Sequence, residues 1–98
     1  MVVEIAVIDV KPGEESQFAA AYEHARHIVG AAQGCHSVRM TRGVESPSRF
    51  VLLVEWDSVG AHEDFRASEA FPQWRAHVGP HFASPPLVEH FADLDGTA

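Results

Sequence analysis

Apolar residues along the chain fall into short blocks, and four of these blocks have the composition or alternation of strands. Residues 2–10 are rich in β-branched side chains and precede a Pro-Gly turn, which predicts a strand that is apolar on most of both faces. Residues 35–42 and 49–56 predict two further strands, and residues 87–94 predict a last one after two prolines. In the third of these strands, alternate apolar residues share one face: Phe50, Leu52, Val54 and Trp56.

The blocks between the strands have helical spacing. Apolar side chains recur every three or four residues over 18–32, and Gly34 is predicted to end this helix. A short helix is predicted over 58–67, because it follows typical capping residues. A third helix is predicted from Ser68, which can cap it, to Gly79-Pro80, which ends it. The chain therefore alternates strands with helices.

This order of elements predicts the ferredoxin-like plan, βαββαβ, of the α+β class. Two βαβ-like halves with right-handed crossovers form a four-stranded antiparallel sheet with the helices on one face. One domain is expected over residues 1–98, with its core at about 2–94. Because the first strand is apolar in both registers, the face without helices calls for a partner surface, most simply a second copy. We therefore expect a homodimer that closes two sheets into a barrel.

Composition and charge exclude several classes of protein. The 98 residues are 46% hydrophobic, an ordinary globular composition. Fourteen acidic residues against seven Lys and Arg give a formal charge of −7 without a basic run, which argues against a nucleic-acid partner. The lone Cys35 fits a reducing compartment. The first apolar run is interrupted by Glu4 and Asp9 and has no basic leader, so we expect no signal peptide, no membrane span and a cytoplasmic location.

His62 is the most informative candidate for chemistry. The apolar arc of its short helix is set by Val59, Ala61 and Phe65, and His62 lies inside that arc. An imidazole that faces the sheet could accept a proton from a phenol or a hydroquinone, and the deprotonated ring could then give an electron to dioxygen. The alternative is a core histidine that is hydrogen-bonded to a backbone carbonyl or to Glu55.

Arg66 follows His62 by one helical turn and could hold an anionic oxygen of the substrate or an intermediate. The alternative for Arg66 is an ion pair at the surface or at an interface. Aromatic side chains could wall a flat pocket, although each is also an ordinary core residue at the period of its element. These residues are Phe50, Trp56, Phe71, Trp74 and Phe82.

No metal or nucleotide cofactor is expected. His24 and His27 miss the apolar stripe of their helix, and Gly79-Pro80 breaks the helix between His77 and His81. A glycine-rich phosphate loop and a dinucleotide fingerprint are both missing from the sequence. One metal geometry stays open, the convergence of three histidines from different elements: His62, His81 and His90.

Over residues 2–94 the chain resembles the antibiotic biosynthesis monooxygenase superfamily of dimeric α+β barrels. The order and spacing of several short features carry the resemblance, rather than one decisive motif. These features are Pro12-Gly13, Gly34, Trp56-Asp57-Ser58, His62, Phe65-Arg66-x-Ser68, Trp74 and Val88-Glu89-His90-Phe91.

The resemblance implies a homodimer with a substrate pocket between helices and sheet, and oxygenation of a small aromatic, polyketide or quinol-type substrate without a cofactor. Together with the position of His62 on the apolar face of its helix, it supports catalytic roles for His62 as proton acceptor and Arg66 as anion holder. Another branch of the superfamily degrades haem. The three positions at which that branch carries its functional residues are Ala6, Phe65 and Trp74 here, so haem degradation is disfavoured. The alternative is a non-catalytic, ligand-binding or stress-related dimer. The expected substrate-binding residues are Leu52, Trp56, Phe65, Trp74 and His81.

Overall fold

The computed structural model describes residues 1–95 and contains one four-stranded antiparallel sheet, with strand order β2-β3-β1-β4. One helix follows β1 and two follow β3, so the chain has the predicted ferredoxin-like arrangement of the α+β class. Within residues 1–95, no helix combines the length and the apolar character that crossing a bilayer requires. The elements are β1 (Val2–Asp9), α1 (Glu15–Gly30), β2 (Cys35–Arg42), β3 (Arg49–Trp56), α2 (Val59–Arg66), α3 (Ala70–Val78), a 3-10 turn (Gly79–His81) and β4 (Leu87–Phe91).

The buried core lies between the sheet and the helices. Alternate residues of β1 and β3 face the helices, as the period of two in the sequence predicts. The helices contribute their apolar stripes, for example Phe18 and Val29 of α1 and Val78 of α3. Glu4 is the exception on this face of β1, because it is a carboxylate at a position that is only 5% exposed. Its neighbours on the same face are Ala6 and Ile8.

The opposite face of the sheet carries apolar side chains that belong to no buried core. The β1–β3 register places Ile5 opposite Leu53 and Val7 opposite Val51 on this face. These residues are half-buried. Phe91 of β4, which lies opposite Val3, is 46% exposed. This uncovered face is defined here by Val3, Ile5, Val7, Val51, Leu53, Leu87 and Phe91.

Three element boundaries differ from the prediction. The first helix ends at Gly30, and Gly34 instead occupies the following turn, with φ at +86°. Strand β4 ends at Phe91 instead of Leu94, because its only partner is β1 and Phe91 already pairs with Val3 near the start of that strand. Ser68 does not cap α3, since its hydroxyl donates to the carbonyl of Phe65.

Candidate active site

Four side chains from four elements form one chain of hydrogen bonds and close polar contacts on the helix-facing side of the sheet. Trp56 Nε1 donates to Glu4 Oε1 over 2.9 Å. His62 Nε2 lies 3.3 Å from the same carboxylate oxygen. On the other side of the imidazole ring, His62 Nδ1 lies 2.7 Å from His90 Nε2. The imidazole of His62 therefore connects a buried carboxylate to a second imidazole.

Local structure explains why these side chains meet. Glu4 and His90 are directly opposite in the β1–β4 register, so both side chains point to the helices. Trp56 ends β3, and α2 begins three residues later with Ser58 as its cap, whose hydroxyl accepts a hydrogen bond from the amide of Ala61. This tight connection turns α2 back over the end of the sheet. The ring of His62 then stacks on the indole of Trp56, with centroids 5.1 Å apart.

Burial shifts the pKa of both central groups towards their neutral forms. Burial raises the pKa of Glu4 above its ordinary value, although the hydrogen bond from Trp56 and the charge of Arg66 oppose this shift. Burial, reinforced by His90 and Arg66, lowers the pKa of His62 to about 4. At neutral pH His62 is therefore an uncharged imidazole, with one N–H to share between two neighbours.

The neutral imidazole has two tautomers, and both fit this geometry. With the proton on Nε2, the N–H of His62 lies against the Glu4 carboxylate at 3.3 Å, and Nδ1 accepts from His90. With the proton on Nδ1, His62 donates to His90 and can accept a proton from Glu4 at Nε2. When Glu4 gives a proton to Nε2 and Nδ1 gives its proton to His90, the second tautomer becomes the first. The arrangement can therefore relay a proton along the three residues.

A cavity of about 260 Å³ opens beside this chain, between the sheet and α2, α3 and the segment that follows them. It is called the sheet–helix cavity here. Its polar lining consists of Glu4, His62 and two arginines, Arg66 and Arg75. Aromatic side chains form a large part of the remaining wall: Phe71, Trp74 and Phe82. The site thus offers an aromatic-walled space that is lined both by a proton acceptor and by two exposed guanidinium groups.

The structure brings only part of the predicted site together. Leu52, His62, Arg66 and Trp74 line the sheet–helix cavity. Trp56 does not, because its fully buried ring lies between β3 and His62, where its N–H holds Glu4.

Three other aromatic or histidine candidates also lie away from the cavity. Phe65 lies in the core and lines a separate open groove. His81 lies outside, where its Nδ1 is 2.9 Å from Glu14 Oε1, because the 3-10 turn directs it towards the start of α1. Phe50, another proposed wall residue, packs on Phe18 instead, with ring centroids 4.7 Å apart.

The contacts of His62 decide between the alternatives that the sequence left open. Glu55 is not its partner, since Glu55 lies on the uncovered side of the sheet and accepts a hydrogen bond from Ser37. Convergence of three histidines does not occur, because His81 is elsewhere. His62 and His90 do meet, but two nitrogens bound to one zinc ion at about 2.0–2.1 Å would stand more than about 3 Å apart. Residues 1–95 contain no group of three side chains suited to hold a metal ion.

Two residues of this site were not identified from the sequence, namely Glu4 and Arg75. In the sequence, Glu4 stands out only as an interruption of an apolar run. The alternation of the strand offers a signal for Glu4, because Glu4 falls on the same face of β1 as the buried residues Ala6 and Ile8. A carboxylate at a core position of a central strand needs a specific partner. For Arg75 no comparable signal exists, because its role depends on how α3 sits against the segment around Phe82.

Comparison with known proteins gives one family. The family model described as "Antibiotic biosynthesis monooxygenase" matches residues 1–77. A crystal structure from Bordetella bronchiseptica with the same family description is 44% identical, with a TM-score of 0.92 over 95% of this chain and 96% of that one. Rv0793 of Mycobacterium tuberculosis is 26% identical, with a TM-score of 0.80 over 99% of this chain and 98% of that one. YczJ of Bacillus subtilis is 33% identical over 96% of this chain and 100% of its own length.

Proposed function

The chain belongs to the antibiotic biosynthesis monooxygenase family, and we propose that it oxygenates a small aromatic, polyketide or quinol-type substrate without a cofactor. One observation carries the proposal. A buried carboxylate–imidazole pair, Glu4 and His62, faces the aromatic-walled sheet–helix cavity. Such a pair can take a proton from a ring hydroxyl or an activated ring CH2, which is the step that makes an aromatic compound reactive towards dioxygen.

The first step is proton removal. Glu4 accepts the proton, because its pKa is raised and its carboxylate lines the cavity. The proton then moves to Nε2 of His62, while the proton on Nδ1 moves to Nε2 of His90. His90 is less buried than His62, so the positive charge ends where water can stabilise it. The pair thereby passes on the proton without holding a positive charge in the core, and Glu4 returns to its carboxylate form.

The second step is the reaction of the substrate anion with dioxygen. The anion transfers one electron to dioxygen, and the resulting substrate radical and superoxide combine into a C–O bond. The peroxide takes back the proton stored on His90. Loss of water then breaks the O–O bond and leaves a carbonyl group. Overall, a ring CH2 and O2 become C=O and H2O, so the carbon loses four electrons and dioxygen gains four.

The test measures oxygen uptake with hydroquinones and anthrones, together with transfer of one ¹⁸O atom from ¹⁸O₂ into the ketone product. Glu4→Gln and His62→Ala should each lower the rate at least about 100-fold, the usual effect of removing a positioned acid or base. His90→Gln should lower it less, since water can replace the last member of the relay. His24→Ala, on the exposed side of α1, is the matched control and should leave the rate unchanged. Undiminished uptake in Glu4→Gln or His62→Ala would remove the assigned role.

We also propose that the protein is a homodimer formed through the uncovered face of the sheet. This face presents apolar side chains from three strands, including Ile5 and Leu53 at its centre, which a water-exposed surface rarely groups together. A second copy can match this face through a two-fold axis. The helix-facing cavity would then remain available for substrate, on the opposite side of each sheet.

A non-catalytic role in binding a small ligand is the second candidate. It is favoured by Leu52, because this cavity-lining position of β3 is apolar. The pKa of His62, about 4, also makes this residue a weak base unless Glu4 shares the proton. Aerobic incubation with a bound aromatic compound separates the two functions. Recovery of the unchanged compound from every member of the panel would support binding alone, and recovery of a ketone would support oxygenation.

A further inference from the structure

We propose that the sheet–helix cavity selects an aromatic acid, whose carboxylate binds between Arg66 and Arg75 at the cavity mouth. This inference rests on the proposed function in one respect only, the assignment of that cavity to the substrate. It adds a substrate class, because it requires a negative charge on a ring system of limited size. The argument uses the state of the two guanidinium groups, the polarity of the cavity and its volume.

Both arginines are exposed side chains that line the cavity, and neither forms an ion pair within residues 1–95. The chain carries twice as many acidic residues as basic ones, fourteen against seven, so potential partners are abundant. Two of the other four arginines do use them, since Arg49 pairs with Asp9 and Arg26 pairs with Glu23. Two exposed guanidinium groups without an ion pair in residues 1–95 therefore line one cavity, and Arg66 acts on the buried Glu4 only through its more distant charge.

Aromatic contacts hold Arg75 in place. Its guanidinium carbon lies 5.9 Å from the ring centroid of Phe71 and 5.8 Å from that of Phe82. Both rings line the cavity, so the cation is held at the wall and does not extend freely into water. A planar guanidinium that is fixed in this way loses little conformational entropy when it binds a carboxylate through two N–H groups.

The charges of the cavity are separated between its mouth and its floor. Glu4 is buried in the floor, whereas Arg66 and Arg75 are exposed. An anionic group placed near Glu4 would be repelled, but the same group at the mouth would face two positive charges. The acid must therefore enter with its ring first. This orientation places the ring beside the Glu4–His62 pair and keeps the carboxylate outside.

The volume limits the size of the ring system. About 260 Å³ lies below the range of about 300–1,000 Å³ typical of sites for drug-sized ligands. Small fused ring systems are therefore favoured, with the acidic group projecting towards the solvent. Phe71, Trp74 and Phe82 provide the flat apolar surfaces for such rings.

The test compares 2-naphthoate with 2-naphthamide, which has the same shape but no charge. Calorimetric titration of the wild-type chain should give a dissociation constant for naphthoate at least about 10-fold lower than for the amide, as charge-assisted hydrogen bonds imply. Arg66→Gln and Arg75→Gln should each weaken naphthoate binding about 5-fold, since both arginines are partly screened by water. The double variant should bind both compounds equally. Raising the salt from 50 to 500 mM should weaken only naphthoate binding.

Two control variants make the result specific. Lys11→Gln removes the same charge at an exposed turn that does not line the cavity, and should leave naphthoate binding unchanged. Arg75→Lys keeps the charge but loses the planar fork, and should give an intermediate affinity. Equal binding of acid and amide, a preference that survives in the double variant, or no binding of either compound would overturn the inference.

The binding measurement can refute this inference without refuting the proposed oxygenation, and the reverse also holds. A chain that binds naphthoate through both arginines but oxidises no member of the hydroquinone and anthrone panel would contradict the proposed function and support this inference. Conversely, oxygenation of members of the panel together with equal binding of naphthoate and naphthamide would support the function and contradict the inference.

Discussion

The imidazole of His62 lies against the indole of Trp56, with ring planes inclined by only 17° and centroids 5.1 Å apart. This stacking leaves the edge of the imidazole, with both nitrogens, free to contact Glu4 and His90. Trp56 thus contributes twice, because its ring orients His62 and its N–H holds the carboxylate of Glu4. The pair explains how a short strand–helix connection builds a relay inside so small a core.

Acid should destabilise the protein through His62. Its pKa is lowered from 6.5 to about 4, so the unfolded chain takes up this proton at a higher pH than the folded chain. Stability is therefore lost as the pH falls from about 6.5 to 4, by up to about 3 kcal/mol from this group. Urea unfolding at pH 7, 6, 5 and 4.5 should show a flatter profile for His62→Gln. An identical profile would mean that His62 is not held neutral.

Glu4 should act in the opposite direction. Because burial raises its pKa, the folded chain keeps this proton at a pH where the unfolded chain has lost it. This contribution to stability is complete below the unfolded pKa and is lost as the pH rises through the folded pKa. Glu4→Gln removes this contribution. In the same urea series, the free energy of unfolding should therefore fall more steeply with decreasing pH than in wild type. A shallower profile would contradict the assigned direction.

Trp56→Phe tests the hydrogen bond to the buried carboxylate. Loss of the indole donor should cost about 2 kcal/mol at pH 7.5, the typical value for a hydrogen bond to a charged group. The cost should shrink at low pH, where Glu4 is neutral. Trp74→Phe is the control, since no carboxylate of residues 1–95 accepts from Trp74. Equal pH dependence of the two variants would refute the contribution of this hydrogen bond.

Gly34 and Gly13 provide a matched pair for the turn before β2. Both have positive φ, +86° and +91° respectively, so alanine is strained at either position. Only at Gly34 would a Cβ also meet another atom, at 2.8 Å from the Cβ of Ala61 in α2. Gly13→Ala should cost about 1 kcal/mol and Gly34→Ala at least about 2 kcal/mol, measured by urea unfolding. Equal costs would show that α2 can move away.

Leu53→Glu tests the proposed dimer. The residue lies on the uncovered face, opposite Ile5, so a buried charge there should prevent two sheets from packing together. Light scattering at micromolar concentration should report a dimer for wild type and a monomer for the variant. Val44→Glu, at a loop position that is 88% exposed, should remain dimeric. A wild-type monomer would contradict the proposal directly.

Periodicity in the sequence was sufficient for the elements, the faces of the strands and the inward position of His62. A period of two assigns alternate residues of β3 to the two sides of the sheet, and the apolar arc of α2 directs His62 to the core. These are local properties, because each depends only on the geometry of one element. The element ends were less predictable, since the end of β4 depends on where β1 begins.

The partners of His62 depend on strand order and register, which join residues distant in the sequence. Glu4 and His90 are 86 positions apart, and they meet because β4 pairs with β1 in one register among several that its short apolar pattern allows. Trp74 and Trp56 illustrate the same limit. Both have core spacing, yet Trp74 lines the cavity, whereas Trp56 is buried behind Glu4 and donates a hydrogen bond to its carboxylate. Local periodicity tells which side of an element is buried, but contacts between elements arise only when the whole sheet and its helices pack.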